Sequence, residues 1–361
     1  MTNSSAKSVV ALSKQIKESN LCLGELEALV LETLRKEYSD ELRTIIPHFY
    51  SQFTSETATR LTVPIERHLF VIFTCCAAAG LSRSLTTAIA YCFIKGYSIP
   101  VLLLNWNIDK KNNIPTADFL RSIQLFYEKE LELSGHQEAT CILKCFNDEY
   151  SKLLQEMRNE SLHAYILPTE KQCKANVQLD TLLTRSFYRS SSHYIAAILS
   201  AVLSAVERDD LDGRRLGSIY GCIRQITDEM VDWKEDLHIG ITSFPLQIVL
   251  AEDYEFISDL VKKFWKSPST SHEVDIEKEI TRRDGFKKSI LISVRLCNEA
   301  DKLARQLFGN DDLYYALSIF IEWKKAFAIE TEKNRSIMGT YEYIHSQSSQ
   351  ILEYAISHNA V

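Results

Sequence analysis

Turn-formers are scarce in this chain: 11 glycines and 7 prolines in 361 residues, roughly 5 % together against about 12 % in an average protein. So few residues suited to tight turns leave little room for many short strands, and they argue against a sandwich, a barrel or a disordered chain. What remains is helix. Apolar residues recur three and four apart, with charges between them, over Leu23 to Phe53, Ala139 to Met157, Ile195 to Val206, Leu216 to Val231, Phe244 to Phe264, Ile290 to Phe308 and Leu313 to Ala328. Stop signals fall at Gly80, Pro100, Pro115, Pro168, Asp212-Gly213, Pro245, Ser267-Pro268 and Gly309-Asn310. No internal repeat, low-complexity segment or compositional break divides the chain. The pattern predicts one all-α domain over residues 1–361, a single large helical bundle of about a dozen helices, big enough to enclose a central cavity.

Charge and cysteine narrow the function. With 41 basic and 48 acidic residues the net charge is −7, which makes non-specific nucleic-acid binding unfavourable. The nine cysteines are an odd number and show no paired C-x-x-C spacing, so buried, reduced thiols in a cytoplasmic protein are expected rather than a zinc site or a disulfide framework. Met1 to Glu18 is polar, and its apolar run Val9 to Leu12 is too short for a signal peptide. The longest apolar stretch read from the sequence, Tyr194 to Val206, is too short to span a bilayer, so the chain is not expected to be membrane-spanning.

The chemistry concentrates in Gly217 to Pro245. Asp228, Asp232 and Asp236 are spaced i, i+4, i+8, so a helix would stack three carboxylates along one stripe. They follow an apolar helix rich in small residues, from Leu216 through Gly217, Ile219, Gly221 and Ile223 to Ile226. Like charges at this spacing repel, and divalent cations would relieve the repulsion. Hard oxygen ligands with room left for phosphate oxygens suit Mg²⁺. The alternative is a solvated acidic face, countered by Arg224 and Lys234.

This segment resembles the second aspartate-rich region of the class I isoprenoid synthases, the trans-prenyl diphosphate synthases and terpene synthases. A Gly-rich helix runs into Gln225, then Asp228-Glu229, Asp232 with Asp236 beyond, and a turn from Gly240 to Pro245. Glu229 stands where the family carries a second aspartate. The family's first aspartate-rich motif has a degenerate counterpart at Leu102 to Thr116. Asn105, Trp106 and Asp109 replace its acids there, and Lys110 and Lys111 fall near its basic positions. Arg189-Ser190 sits where the family uses Lys-Thr. Glu299 to Leu307, with Ala316-Leu317, resembles its late helix pair. The recognisable part covers about residues 61–327.

The resemblance implies a Mg²⁺-dependent enzyme that ionises an allylic isoprenyl diphosphate, releases pyrophosphate, and cyclises or transfers the carbocation. Asp109, Asp228, Asp232 and Asp236 would hold metal. Arg189, Arg224, Lys110, Lys111 and Arg67 would contact diphosphate, and Gln225 would point into the cavity with Asp228 and Asp232. Aromatic faces stabilise cations, and Phe70, Phe73, Tyr91, Phe93, Trp106, Phe187, Tyr188, Tyr220 and Trp233 lie on or near these helices, although core packing is the commoner role for such residues. A homodimer is implied, or a hetero-oligomer with another prenyl synthase subunit.

The departures have their own meaning. The Gly-Lys-x-x-Arg-Pro stretch that chain elongators use for the homoallylic diphosphate is reduced to Val63-Pro64-Ile65-Glu66-Arg67-His68, and no basic tail closes the sequence. The second diphosphate site therefore reads as eroded, which favours an enzyme with one diphosphate substrate. A catalytically weakened partner subunit of a prenyl diphosphate synthase is the alternative.

Overall fold

The computed structural model describes residues 4–19, 21–108, 114–184 and 193–338. Among these residues there is no strand, as the scarcity of turn-formers predicts. The first part of the chain forms α1 (Ser4–Ser19), α2 (Leu23–Glu37), α3 (Ser39–Tyr50), α4 (Ser55–Ala78), α5 (Arg83–Phe93), a π-helical turn Ile94–Ser98, and α6 (Ile99–Ile108). Then come α7 (Thr116–Glu128), a 3₁₀ turn Lys129–Leu133, α8 (Ala139–His163), α9 (Glu170–Asn176) and α10 (Leu179–Thr184). The second half holds α11 (His193–Ala205), α12 (Asp210–Val231), α13 (Trp233–His238), α14 (Phe244–Glu252), α15 (Tyr254–Lys266), α16 (Thr270–Arg282), α17 (Gly285–Phe308) and α18 (Asp312–Met338).

Eighteen described α-helices exceed the dozen that the periodicity suggests, in part because tertiary contacts accompany breaks in two long apolar runs. Between α2 and α3, Tyr38 leaves helical geometry (φ −125°). Its ring stacks on Phe73 at 4.5 Å and its hydroxyl donates to the Phe73 carbonyl at 3.1 Å. Between α14 and α15, Asp253 adopts φ −146° and holds Arg283 at 2.7 Å. In both cases tertiary contacts outweigh a weak local preference.

Two expected stops are not stops. Pro100 lies within a helix that continues from α5 to α6. A proline ring clashes with the carbonyl four residues back, here that of Gly96, which belongs to the wider π-helical turn. Asp212-Gly213 falls inside the first turns of α12, whose start is set by Asp209 accepting the Leu211 N–H at 2.9 Å.

The main core is built on α4, α5, α11, α12 and α18, and a smaller one on α13 to α16. At the centre α12 is flanked by α11, α17 and α18. Gly213 and Gly217 let α11 and α12 touch along their backbones: a Cβ on Gly217 would sit 2.2 Å from the Ala196 Cα. Two helical stretches, Ser55–Ala78 and Arg83–Leu104, are long and apolar enough to cross a membrane, more so than the Tyr194 to Val206 run singled out above. Of their apolar windows 80 % and 78 % are buried inside the fold, so the core uses those surfaces. Seven of the nine cysteines are buried and all are free thiols. Burial pushes Cys76 and Cys92 up to about 12, which makes them poor nucleophiles.

Candidate functional site

The acidic stripe forms on the backbone as its spacing requires. The Asp232 N–H donates to the Asp228 carbonyl at 2.9 Å and the Asp236 N–H to that of Asp232 at 3.0 Å. Its three acids are placed differently. Asp228 receives the Arg224 guanidinium at 2.5 Å. Asp232 caps the end of α12. Asp236, in α13, has a carboxylate oxygen buried in the protein. Among the described residues no three His, Cys, Asp or Glu side chains are grouped to hold a metal ion. These acids alone therefore do not fit a Mg²⁺ cage, and Asp109 lies outside the described residues. Lys234 turns away from the stripe to Glu273 and Glu277 at 3.0 and 3.1 Å.

Gln225 is buried. Its Nε2 donates to Glu229 at 3.0 Å, and Glu229 also accepts the Phe244 N–H at the start of α14. Glu229 at the family's aspartate position thus ties α12 to α14. Lys110, Lys111 and Arg189 lie outside the described residues, and so do the side chains of Asn105 and Trp106.

The structure brings cations together instead. Arg67 and His68 come from α4, Tyr194 from α11, Arg224 and Asp228 from α12, and Trp323 and Lys324 from α18. The Tyr194 ring lies 4.6 Å from the His68 ring, and the Lys324 Nζ is 3.5 Å from the Tyr194 hydroxyl. His68 Nδ1 and the Ser98 hydroxyl are hydrogen-bonded at 2.7 Å, with Ser98 delivered by the π-helical turn. Arg67 lies 6.0 Å from the Trp323 ring and 3.4 Å from Glu27, which also accepts the Trp323 N–H at 3.1 Å.

Electrostatics confirm that these groups feel one another. Burial, assisted by Lys324, Arg224 and Arg67, pulls His68 down to about 3, so it is neutral. Burial next to Arg224 and Arg67 pulls Lys324 down to about 7. Asp228 holds Arg224 above the ordinary arginine value. Three basic side chains converge with Asp228 and Glu27 as the acids at hand. Partly buried basic groups set side by side repel one another, and an anion between them would relieve the repulsion. Arg67, Arg224 and Asp228 keep 37, 33 and 36 % of their side-chain surface exposed, which leaves them reachable.

Sequence reasoning found Arg67, Arg224 and Asp228. It did not include Lys324. The signal was the adjacent pair Lys324-Lys325 in Leu313 to Ala328, a stretch with one other charged residue, Glu322. The aromatic candidates Phe70, Phe73, Phe93, Tyr220 and Trp233 pack in the cores. Phe187 and Tyr188 lie outside the described residues. Two hollows bounded by described residues are a crevice of about 10 Å³ beside Phe49 and Leu61 and a groove of about 290 Å³ between Ile248 and Leu291. None of the three stripe acids lines either one.

No family model and no curated protein matches this sequence. Solved structures do. The chain is similar to a decaprenyl diphosphate synthase from Rhodobacter capsulatus (TM-score 0.65, 11 % identity, 82 % of this chain and 98 % of that one). It is also similar to a geranylgeranyl pyrophosphate synthase from Lactobacillus brevis (0.62, 12 %, 80 % and 98 %). A third is a polyprenyl synthase from Caulobacter crescentus complexed with calcium and isoprenyl diphosphate (0.58, 13 %, 89 % and 97 %). At such identities the likeness lies in the path of the backbone, and on that ground the chain has the all-α fold of the trans-prenyl diphosphate synthases.

Proposed function

We propose that this protein binds an isoprenyl diphosphate at the cluster of Arg67, Arg224 and Lys324 and takes part in prenyl transfer. The observation that carries this reading is the convergence of three basic side chains from α4, α12 and α18 around Tyr194, where they lower one another's hold on protons at Lys324 and His68. Guanidinium groups match phosphate oxygens in a bidentate fork, and the lysine adds a point charge. As the allylic C–O bond breaks, the electron pair leaves with the diphosphate. Preorganised cations aimed at that developing charge lower the barrier. Cyclisation or transfer to an acceptor would follow from the same cation. Neutral His68 and Tyr194 border the anion site without adding charge at neutral pH.

Mg²⁺ belongs to this reading through the resemblance, with Asp228, Asp232, Asp236 and Asp109 as its proposed ligands. Mg²⁺ needs only one or two carboxylates beside substrate phosphates, so it would share the leaving-group charge with the basic cluster. The second reading is a partner subunit that keeps the fold and the anion site while another synthase subunit performs the chemistry; the engagement of Asp228 by Arg224 favours it.

Calorimetric titration with geranyl, farnesyl and geranylgeranyl diphosphates is expected to show binding of at least one. Arg67→Gln or Arg224→Gln should weaken it roughly tenfold or more, since a charged hydrogen bond contributes about 1.5–3 kcal/mol. Pyrophosphate release with added Mg²⁺ marks the enzyme. Binding without release, joined to an altered product length when a prenyl synthase subunit is added, marks the partner subunit. A folded protein that binds none of the three refutes both.

A further inference from the structure

The groove of about 290 Å³ between α14 and α17 shares no residue with the basic cluster. Its apolar walls are Val177 at the end of α9, Ile248 and Ala251 on α14, and Leu291 and Ile292 on α17. Glu252, Lys288 and Arg295 line it as well. Residues 288, 291, 292 and 295 share one face of α17, so charge, apolar surface and charge follow one another over about 10 Å of helix. Three contacts fix the walls in place. Asn176 Nδ2 donates to Gln247 Oε1 at 3.0 Å and ties α9 to α14. Lys288 pairs with Glu252 and ties α17 to α14. Gly285 seats the start of α17 on Pro245, where a Cβ would lie 2.9 Å from the Pro245 carbonyl oxygen. Binding sites for small molecules are usually formed in advance in this way.

The charges are not equivalent. Lys288 is matched by Glu252 and also donates to the Arg283 carbonyl at 2.9 Å. Arg295 is exposed, and among the described residues no acid pairs with it. Glu299, one turn further on, pairs with Lys302 at 3.6 Å instead. The groove thus carries one uncompensated positive charge beside an apolar trough. Its volume admits on the order of ten groups the size of a water molecule at about 30 Å³ each, and a methylene is of similar size.

We propose that this groove binds a single-chain monocarboxylate of about ten carbons, with its carboxylate on Arg295 and its chain along Leu291, Ile292, Ile248 and Ala251. Charge complementarity commits the occupant. One unpaired cation matches one negative charge, and the guanidinium fork takes a carboxylate through two parallel hydrogen bonds. A diphosphate would bring more charge than Arg295 balances, with Glu252 in the same groove to repel it. A cationic chain would meet Arg295 directly, and a neutral chain would gain nothing from it.

Calorimetric titration of the full chain with decanoate tests this. The wild type is expected to bind it with a submillimolar dissociation constant, and butyrate, which has the head without the chain, at least tenfold more weakly. Arg295→Gln should weaken decanoate binding at least tenfold, and Arg295→Lys should recover most of the loss. Leu291 is 52 % exposed, so Leu291→Glu is expected to fold, which circular dichroism checks. It places an acid on the apolar wall and should also cost at least tenfold. No binding to the wild type, butyrate binding as tight as decanoate, or unchanged affinity in Arg295→Gln or in folded Leu291→Glu overturns the proposal. Arg67→Gln should bind decanoate as the wild type does. Loss of binding there would put decanoate in the diphosphate cluster and overturn this site while leaving that reading intact.

Discussion

Lys324→Met is expected to stabilise the protein while weakening diphosphate binding ten- to hundredfold. The two effects share one cause. Lys324 sits among Arg224 and Arg67 with its amine drawn from 10.5 to about 7, so the folded protein binds that proton less readily than the unfolded chain. A depressed basic group costs stability. The cost is fully present below pH 7 and disappears as pH rises from about 7 toward 10.5. Allowing for partial exposure, the penalty below pH 7 is about 2–3 kcal/mol. Thermal melts should show wild-type stability climbing relative to the methionine variant across that window. At pH 6 the variant should melt higher, and near pH 10 the two should converge. Binding runs the other way, because an anion needs the charge: wild-type affinity should fall above neutrality with a slope the variant lacks. Melting curves that stay parallel from pH 6 to pH 10 would remove Lys324 from the cluster.

Gly217→Ala is the second large effect, and it falls first on stability. In an exposed helix interior this change gains about 1 kcal/mol of helix propensity. Here the new Cβ would lie 2.2 Å from the Ala196 Cα and 2.5 Å from its nitrogen. Those are backbone atoms, which no rotamer change can move aside, so α11 and α12 must separate. Overpacking of this kind costs about 1–3 kcal/mol and sometimes more. A net loss of about 2 kcal/mol lowers the melting temperature by roughly 2–3 °C for a chain of 361 residues. Adding Ala196→Gly should not rescue it, since the closest contacts remain Cα and nitrogen. A rise in melting temperature on Gly217→Ala would contradict the packing. Tyr194 and Arg224 sit on these two helices, so the variant should also weaken diphosphate binding.

How far the sequence was legible depends on the range of the interaction. The Arg224–Asp228 pair lies four residues apart on one helix, and local spacing predicts it. The late helices appear where the apolar period places them, as α17 and α18. The breaks at Tyr38 and Asp253 were not legible, because Phe73 and Arg283 cause them from distant parts of the chain. Pro100 misled because a stop signal assumes α-helical geometry before it, and the structure has a π-helical turn there.

By itself the sequence determined the class of fold and one wall of the site. Few turn-formers and a 3.6-residue apolar period leave helices as the economical way to satisfy the backbone, and that choice is made locally. Only the tertiary structure decided what the site is made of. It carried Lys324 from the last helix to Arg67 on the fourth, turned Gln225 and Glu229 to holding α14, and left Asp228 beside Arg224. Charge–charge energies depend on distance in space and on the surrounding dielectric, and neither exists until the helices have packed.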